Sequence, residues 1–337
     1  MQALLILLSV VVALDLSVTL DPSVTPLNEW PMLQAHDAAT TYLKSGLINR
    51  WAKTQQNGGI SGMLNCAARA FDWRPTLTKD RKLLMHHGPD VINHPMSSAL
   101  DELVAWSMAQ PQKNSPDDLV ILGITDCTDS FSGGAACLEA VSNLLIEKNI
   151  KYVNSSCTAL KGWSVQDAVD FGQPPKGHGA PIIATFGCWE ENYDPSIACS
   201  GFGKKLEYSM LTEDEEGNED NAIAYTCYND STTKVFPLNR MYAYLEKYTQ
   251  IGPPDGGRLY SLQAIWQETA SSVIVSGLHG SSLLLDEVKS NINHLLADRI
   301  KNKQWNVSRV NFVEVNNVCD GGPALLKALK HAKAGST

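Results

Sequence analysis

Residues 117–125 read DDLVILGIT, and the six-residue core Leu119–Ile124 carries no polar side chain. A strand that is apolar on both faces is a strand covered on both faces, as in a parallel sheet flanked by helices. Working outward, apolar strand segments alternate with stretches of helical periodicity along the whole chain. The strands are expected at Met32–His36, Ala68–Trp73, Leu83–His87, Leu119–Ile124, Tyr152–Asn154, Pro181–Thr185, Ile223–Tyr228, Ser272–Val275 and Val310–Val315. Helices are expected at Ser98–Ala109, Ala136–Lys148, Asn239–Thr249, Ser282–Lys301 and Ala324–Ala332. This alternation predicts an α/β fold, and about eight such units predict a (β/α)8 TIM barrel. A doubly wound sheet is the runner-up; it would normally carry a Gly-rich phosphate turn after the first strand. Here that strand ends on His36-Asp37 instead.

The chain has 337 residues and a formal net charge of −9. This balance argues against a nucleic-acid partner and gives no electrostatic pull toward anionic membranes. Residues 1–14 are free of charged side chains and too short to span a bilayer, which takes about 20 apolar residues. They predict a signal peptide, so residues 15–337 are expected to form one secreted barrel domain. N-x-S triplets at Asn154, Asn229 and Asn306 fit a secreted glycoprotein. All eight cysteines follow the leader and none forms a C-x-x-C pair, which favours disulfides over zinc. Cys127–Cys137 and Cys188–Cys199 are spaced for local loops. Glu213–Asp220 reads as a solvated acidic loop.

Three early strand ends carry reactive groups: His36-Asp37, Asp72-Trp73-Arg74 and His86-His87-Gly88. One imidazole can accept a proton while the other gives one, and a fixed guanidinium can stabilise phosphoryl charge. That set is suited to phosphodiester cleavage. His86 points to the opposite face of its strand from His87 and reads as structural. His94, His178, His279, His294 and His331 have no comparable setting. Neither a G-x-S-x-G elbow nor an H-E-x-x-H motif is present.

The ordered set QAHDAATTYL, QQNGGISGMLNCAARAFDWRP and LLMHHGP, followed by SALDELVAWSMAQ and DDLVILGI, resembles the X-domain of phosphatidylinositol-specific phospholipase C. The resemblance is specific over Leu33–Ile124. The thirteen-residue step from Arg74 to His87 matches the bacterial, metal-independent branch. It implies a phosphoric diester hydrolase with no cofactor, acting on a phospholipid or glycerophospho-diester with transient membrane-surface contact, as a monomer. In that family pattern His36 is the general base and His87 the general acid. Asp37 supports His87, Arg74 takes the place of a metal, and Asp72 supports the site. A carboxylate on the last strand supports the base, but Asn316 stands at that position here. Glu314, Asp320 or Asp126 could substitute for it. The family's two head-group cations are also missing. Asp126, Trp189, Glu190 and Glu191 are the residues available to line the head-group pocket instead. The competing expectations are a metal-dependent glycerophosphodiesterase or sphingomyelinase D-like enzyme, and a non-catalytic lipid-binding barrel. The former group carries an acid where this chain has Ala70.

Overall fold

The computed structural model describes residues 20–44, 46, 49–88, 90–111, 115–153, 157–174, 179–187, 189–191, 224–228, 235–236, 258–268 and 280–334, with isolated positions between 242 and 249. Residues 1–14, the acidic loop, Asn154, Asn229, both cysteines of the expected Cys188 and Cys199 pair, most of the helix expected at Asn239–Thr249 and the strand expected at Ser272–Val275 lie outside these residues. No helix among the described residues is long and apolar enough to cross a membrane.

The central strands are β1 (Met32–Ala35), β2 (Ala68–Trp73), β6 (Val120–Ile124), β8 (Lys151–Val153), β9 (Ile182–Phe186), β10 (Trp189–Glu191), β13 (Leu259–Gln263) and β15 (Phe312–Val315). They form one sheet in the order β10-β13-β15-β1-β2-β6-β9-β8, and every ladder in it is parallel. The first and last strands of the domain are therefore neighbours, as barrel closure requires. The strand expected at Ile223–Tyr228 forms as β11 (Ala224–Tyr228) and pairs with β12 (Val235–Phe236) and β14 (Trp266–Glu268) in a separate three-stranded sheet. Helices α1 (Asn49–Ala52), α2 (Gly59–Asn65), α3 (Met96–Ala109), α4 (Ala135–Glu147) and α5 (Val165–Gly172) follow the early strands. Helices α6 (Leu283–Ser290), α7 (Ile292–Lys301) and α8 (Gly322–Ala334) flank the last.

The period-two alternation of the strands sorts side chains into an outer and an inner face. Leu33, Phe71, Leu122 and Val313 join the large core that includes the flanking helices. Met32, Ala70, Ile121, Ile183, Leu259 and Phe312 join a separate buried cluster on the other face. Two residues further along each strand the inner face turns polar. Gln34, Ser261 and Glu314 are all buried there and hydrogen-bonded across three strands. Ser261 Oγ donates to Gln34 Oε1 at 2.7 Å, and Gln34 Nε2 to Glu314 Oε1 at 2.9 Å. Two residues further still come His36, Arg74 and Asn316, just past the carboxyl ends of β1, β2 and β15. That is where barrel enzymes place their chemistry.

Three differences from the sequence reading bear on the site. The strand Leu83–His87 (β4) forms as expected but lies outside the parallel sheet. It pairs antiparallel with β3 (Pro75–Leu77) and β5 (Asp90–Ile92), and β3 in turn pairs with β7 (Thr128–Asp129). Only Arg74 separates β2 from β3, so no helix intervenes, and Pro75 at the head of β3 has no amide with which to continue the β2 ladder. The expected helix Ser282–Lys301 is two helices, broken at Asn291, whose φ of 55° is left-handed. Strand β13 was not expected, because Ser261 and Gln263 make it look half-exposed when all five of its residues are buried.

Two disulfides are formed among the described residues. Cys127–Cys137 closes the expected local loop, and Cys66–Cys319 joins the end of α2 to the turn after β15. The second pairing spans 253 residues and has no local sequence signal.

Candidate active site

His36 leaves β1 with its amide donating to Val315 O at 3.2 Å, continuing the parallel ladder by one residue. Asp37 follows at φ 43°, a left-handed conformation that a short polar side chain tolerates and that turns the chain into a short 3-10 helix. The consequence is that consecutive residues aim their side chains at the same point. His36 Nε2 lies 3.2 Å from Asp37 Oδ2. A second layer fixes this turn. Thr54 Oγ1 donates to His36 O at 2.8 Å, and Gln55 Nε2 donates to both His36 O and Val315 O at 3.0 and 3.1 Å. Gln55 opens one of the motifs that carry the resemblance, but its role in holding this turn is not legible there, because its partners are main-chain atoms distant in sequence.

Asp37 is the hub. Its Oδ2 also lies 3.0 Å from His87 Nε2, and its Oδ1 lies 3.0 Å from Arg74 Nη1. Arg74 Nη2 contacts Asp72 Oδ2 at 2.8 Å, so the guanidinium bridges two carboxylates. Asp72 further accepts from Thr125 Oγ1 at 2.7 Å and from the Asp37 amide at 3.3 Å. Asn316 Oδ1 lies 2.8 Å from His36 Nδ1. The structure thus brings His36, Asp37, Asp72, Arg74, His87 and Asn316 into one cluster. His36, Asp37, Asp72 and Asn316 are buried in it, whereas the Arg74 side chain keeps 24% of its surface exposed.

These contacts set the charge states. Burial by itself pushes the Asp37 carboxyl up, but His36, Arg74 and His87 outweigh it and hold Asp37 well below the usual carboxylate range. Burial also lowers His36 below its ordinary value, against the pull of Asp37. For Arg74, Asp72 and Asp37 outweigh burial and hold the guanidinium charged. A neutral His36 can take a proton, and the fixed cation stands beside it.

The other predicted residues fall elsewhere. Asp126 is exposed at the end of β6, with φ 41°, and its carboxylate approaches His86 Nε2 only to 3.8 Å. Its carbonyl lies 2.9 Å from the same nitrogen, while His86 Nδ1 lies 2.9 Å from Gly88 O. Both ring nitrogens of His86 therefore meet main-chain carbonyls, a structural arrangement. Trp189 and Glu190 belong to strand β10, beside β13, and their side chains are outside the described residues. Glu314 lies in the polar layer beneath His36, accepting from Gln34 and Gln263, and Asp320 approaches His294 on the surface. The carboxylate that meets Asn316 is one the sequence did not single out. Glu287 Oε1, on α6, accepts from Asn316 Nδ2 at 2.9 Å.

His36, Asp72 and Glu314 place ligand-type atoms within 4.8 Å of one another. This set does not suit a divalent cation. The Asp72 oxygens accept from Thr125 and Arg74, and those of Glu314 from Gln34 and Gln263. A metal there would also stand against the Arg74 guanidinium.

No protein-family model matches the chain. It is similar to the 1-phosphatidylinositol phosphodiesterase of Staphylococcus aureus (strain Newman), 25% identical over 120 residues. The matched stretch is 36% of this chain and 36% of that protein, so it spans about a third of the curated relative. In three dimensions the likeness extends further. A mutant of phosphatidylinositol-specific phospholipase C from Staphylococcus aureus matches with a TM-score of 0.56 at 15% identity, covering 92% of this chain and 95% of that one. The phosphatidylinositol-specific phospholipase C from Listeria monocytogenes gives 0.50 at 12% identity, covering 93% and 97%. The fold is the barrel these enzymes share, matched over 92% of this chain.

Proposed function

We propose that this chain is a phosphodiesterase of the phospholipase C type, secreted after loss of residues 1–14, whose single barrel domain cleaves a phospholipid or glycerophospho-diester. One observation carries the reading: His36 and His87 both meet a single oxygen of Asp37, at 3.2 and 3.0 Å, with Arg74 on the other oxygen. His36 takes the proton from a head-group hydroxyl beside the phosphodiester. That oxygen bonds to phosphorus and forms a cyclic phosphate. The bond from phosphorus to the glycerol oxygen breaks, and His87 gives that oxygen its proton. Positive charge leaves one ring and arrives on the other, and Asp37 is in contact with both. Arg74, charged and partly exposed, contacts the phosphoryl oxygen as charge builds there. The reaction needs no metal, because the guanidinium supplies the cation.

The relatives' names specify phosphatidylinositol. The reading for this chain is a neutral head group that carries a hydroxyl beside the phosphodiester, as the cyclic phosphate requires, since the family's head-group cations are missing and Asp126, Trp189 and Glu190 are at hand. The test is a panel of phospholipids incubated with secreted protein and excess EDTA, with phosphorus NMR of the products. A cyclic phosphate formed in EDTA is the expected result. Failure to turn over any lipid, full activity after His36→Ala or His87→Ala, or activity abolished by EDTA would overturn the proposal. Unchanged head-group preference in Glu190→Ala and Glu191→Ala would remove those residues from the pocket.

A further inference from the structure

Asn316 stands where the general base would ordinarily meet a carboxylate, and an amide has no charge with which to stabilise an imidazolium. The side chain beyond it resolves the difficulty. Asn316 Oδ1 faces His36 Nδ1 at 2.8 Å, while its Nδ2 donates to Glu287 Oε1 at 2.9 Å. The three side chains form a continuous buried chain, with His36 at 3%, Asn316 at 0% and Glu287 at 1% exposure.

We propose that Glu287 is a positioning residue for the general base, acting through Asn316 to supply the orientation and the charge that a direct carboxylate would give. This rests on the phosphodiesterase reading of the same site. An ionised carboxylate only accepts hydrogen bonds. In that state Glu287 compels the Asn316 amide to turn its NH2 toward α6 and its oxygen toward His36. An oxygen at 2.8 Å in turn requires the proton on His36 Nδ1. Nε2 is left as the basic nitrogen, on the side of Asp37, Arg74 and His87. When Nε2 takes the substrate's proton the ring becomes cationic. No proton moves to Asn316 or Glu287, but the polarised amide extends the carboxylate's field to the ring in a buried setting. The fold supports this placement. Helix α6 buries Asp286 and Glu287 beside Leu283 and leaves Leu285 and Val288 about half exposed, so its inward face carries two acids.

The experiment compares Glu287→Gln, Asn316→Asp and the double variant. Glu287→Gln should lower kcat about 10- to 100-fold with KM little changed. Asn316→Asp should largely restore kcat in that background, because a direct carboxylate replaces the relay. Unchanged kcat in Glu287→Gln overturns the proposal, as does the same loss whether residue 316 is Asn or Asp, which would mark Glu287 as merely structural. Nitrogen NMR of the neutral His36 ring decides the point without substrate. Loss of the Nδ1–H preference in Glu287→Gln supports the relay, and an unchanged ring spectrum overturns it. Turnover that survives His36→Ala would overturn the reading of His36 as the base, whereas the ring spectrum tests the contact chain from Glu287 to His36 independently of turnover.

Discussion

Replacing Arg74 tests the hub of the site. Its two terminal nitrogens hold Asp37 at 3.0 Å and Asp72 at 2.8 Å, and both carboxylates are 1% exposed. Arg74→Lys keeps the charge but can reach only one carboxylate, losing one charge-assisted hydrogen bond of about 1.5–3 kcal/mol. Arg74→Met leaves two buried carboxylates without their cation, a loss of about 3–5 kcal/mol. On a phosphodiester, either variant should lose about 100- to 1,000-fold in kcat, the usual effect of removing one donor to a developing oxyanion. The stability loss should depend on pH with a definite sign. Asp37 is depressed in the folded state by charges that include Arg74. Its contribution is fully present above the unfolded carboxyl value, near pH ~3.9, and is lost as pH falls through the folded one. The deficit of Arg74→Met should therefore be largest at neutral pH and shrink in acid below about pH 4. Urea unfolding at neutral and acidic pH, with turnover measured in parallel, is the assay. Wild-type stability of Arg74→Met at neutral pH, or the same deficit at both, would refute the reasoning.

Three further outcomes are expected. His87→Ala should lose about 100- to 10,000-fold on a glyceryl-leaving substrate, but far less on a p-nitrophenyl phosphodiester, whose leaving group needs no proton; equal losses on both would remove His87 as the acid. Asp286 is fully buried, and burial raises its carboxyl to about 7 against the pull of Lys289. A raised group stabilises fully below its unfolded value and loses that contribution as pH rises through the folded one, so Asp286→Asn should raise the melting temperature at pH ~8 more than at pH ~5; an equal effect at both would contradict the shift. Cys66→Ala with Cys319→Ala reopens a 253-residue loop. The chain-entropy estimate for it is about 5 kcal/mol, and an unchanged denaturation midpoint would show that the closure contributes little.

Much of the site is legible because it is local. His36-Asp37 and Asp72-Trp73-Arg74 are tripeptide-scale patterns at strand ends, and the strand-helix rhythm fixes which ends face the same way. What escaped the reading is long-range or inverted. Strand β13 presents polar Ser261 and Gln263 to a polar layer inside the barrel, so its pattern imitates a surface strand. His87 was expected on a barrel strand, whereas β4 belongs to a hairpin sheet that only tertiary contacts bring over Asp37. Helix α5 was missed although Ser164 and Asp167 form a capping box, the one short-range signal that would have found it. Glu287 lies 29 residues before Asn316 on a helix that buries two acids while Leu285 and Val288 are exposed. The available clue was chemical: an amide in the place of an acid sends the search for a carboxylate one shell further out.

The bridge between Cys66 and Cys319 has a consequence for how the protein meets proteolysis. His36 lies before the bridged pair in sequence, while Asp72, Arg74, His87 and Glu287 lie between its ends and Asn316 just before its second cysteine. A protease that cuts once anywhere between residues 66 and 319 produces two fragments that cannot diffuse apart. The strands leading to His36, Arg74 and Asn316 are still paired side by side, with β1 between β2 and β15. Nicking would show on a reducing gel as two bands long before it showed as lost turnover.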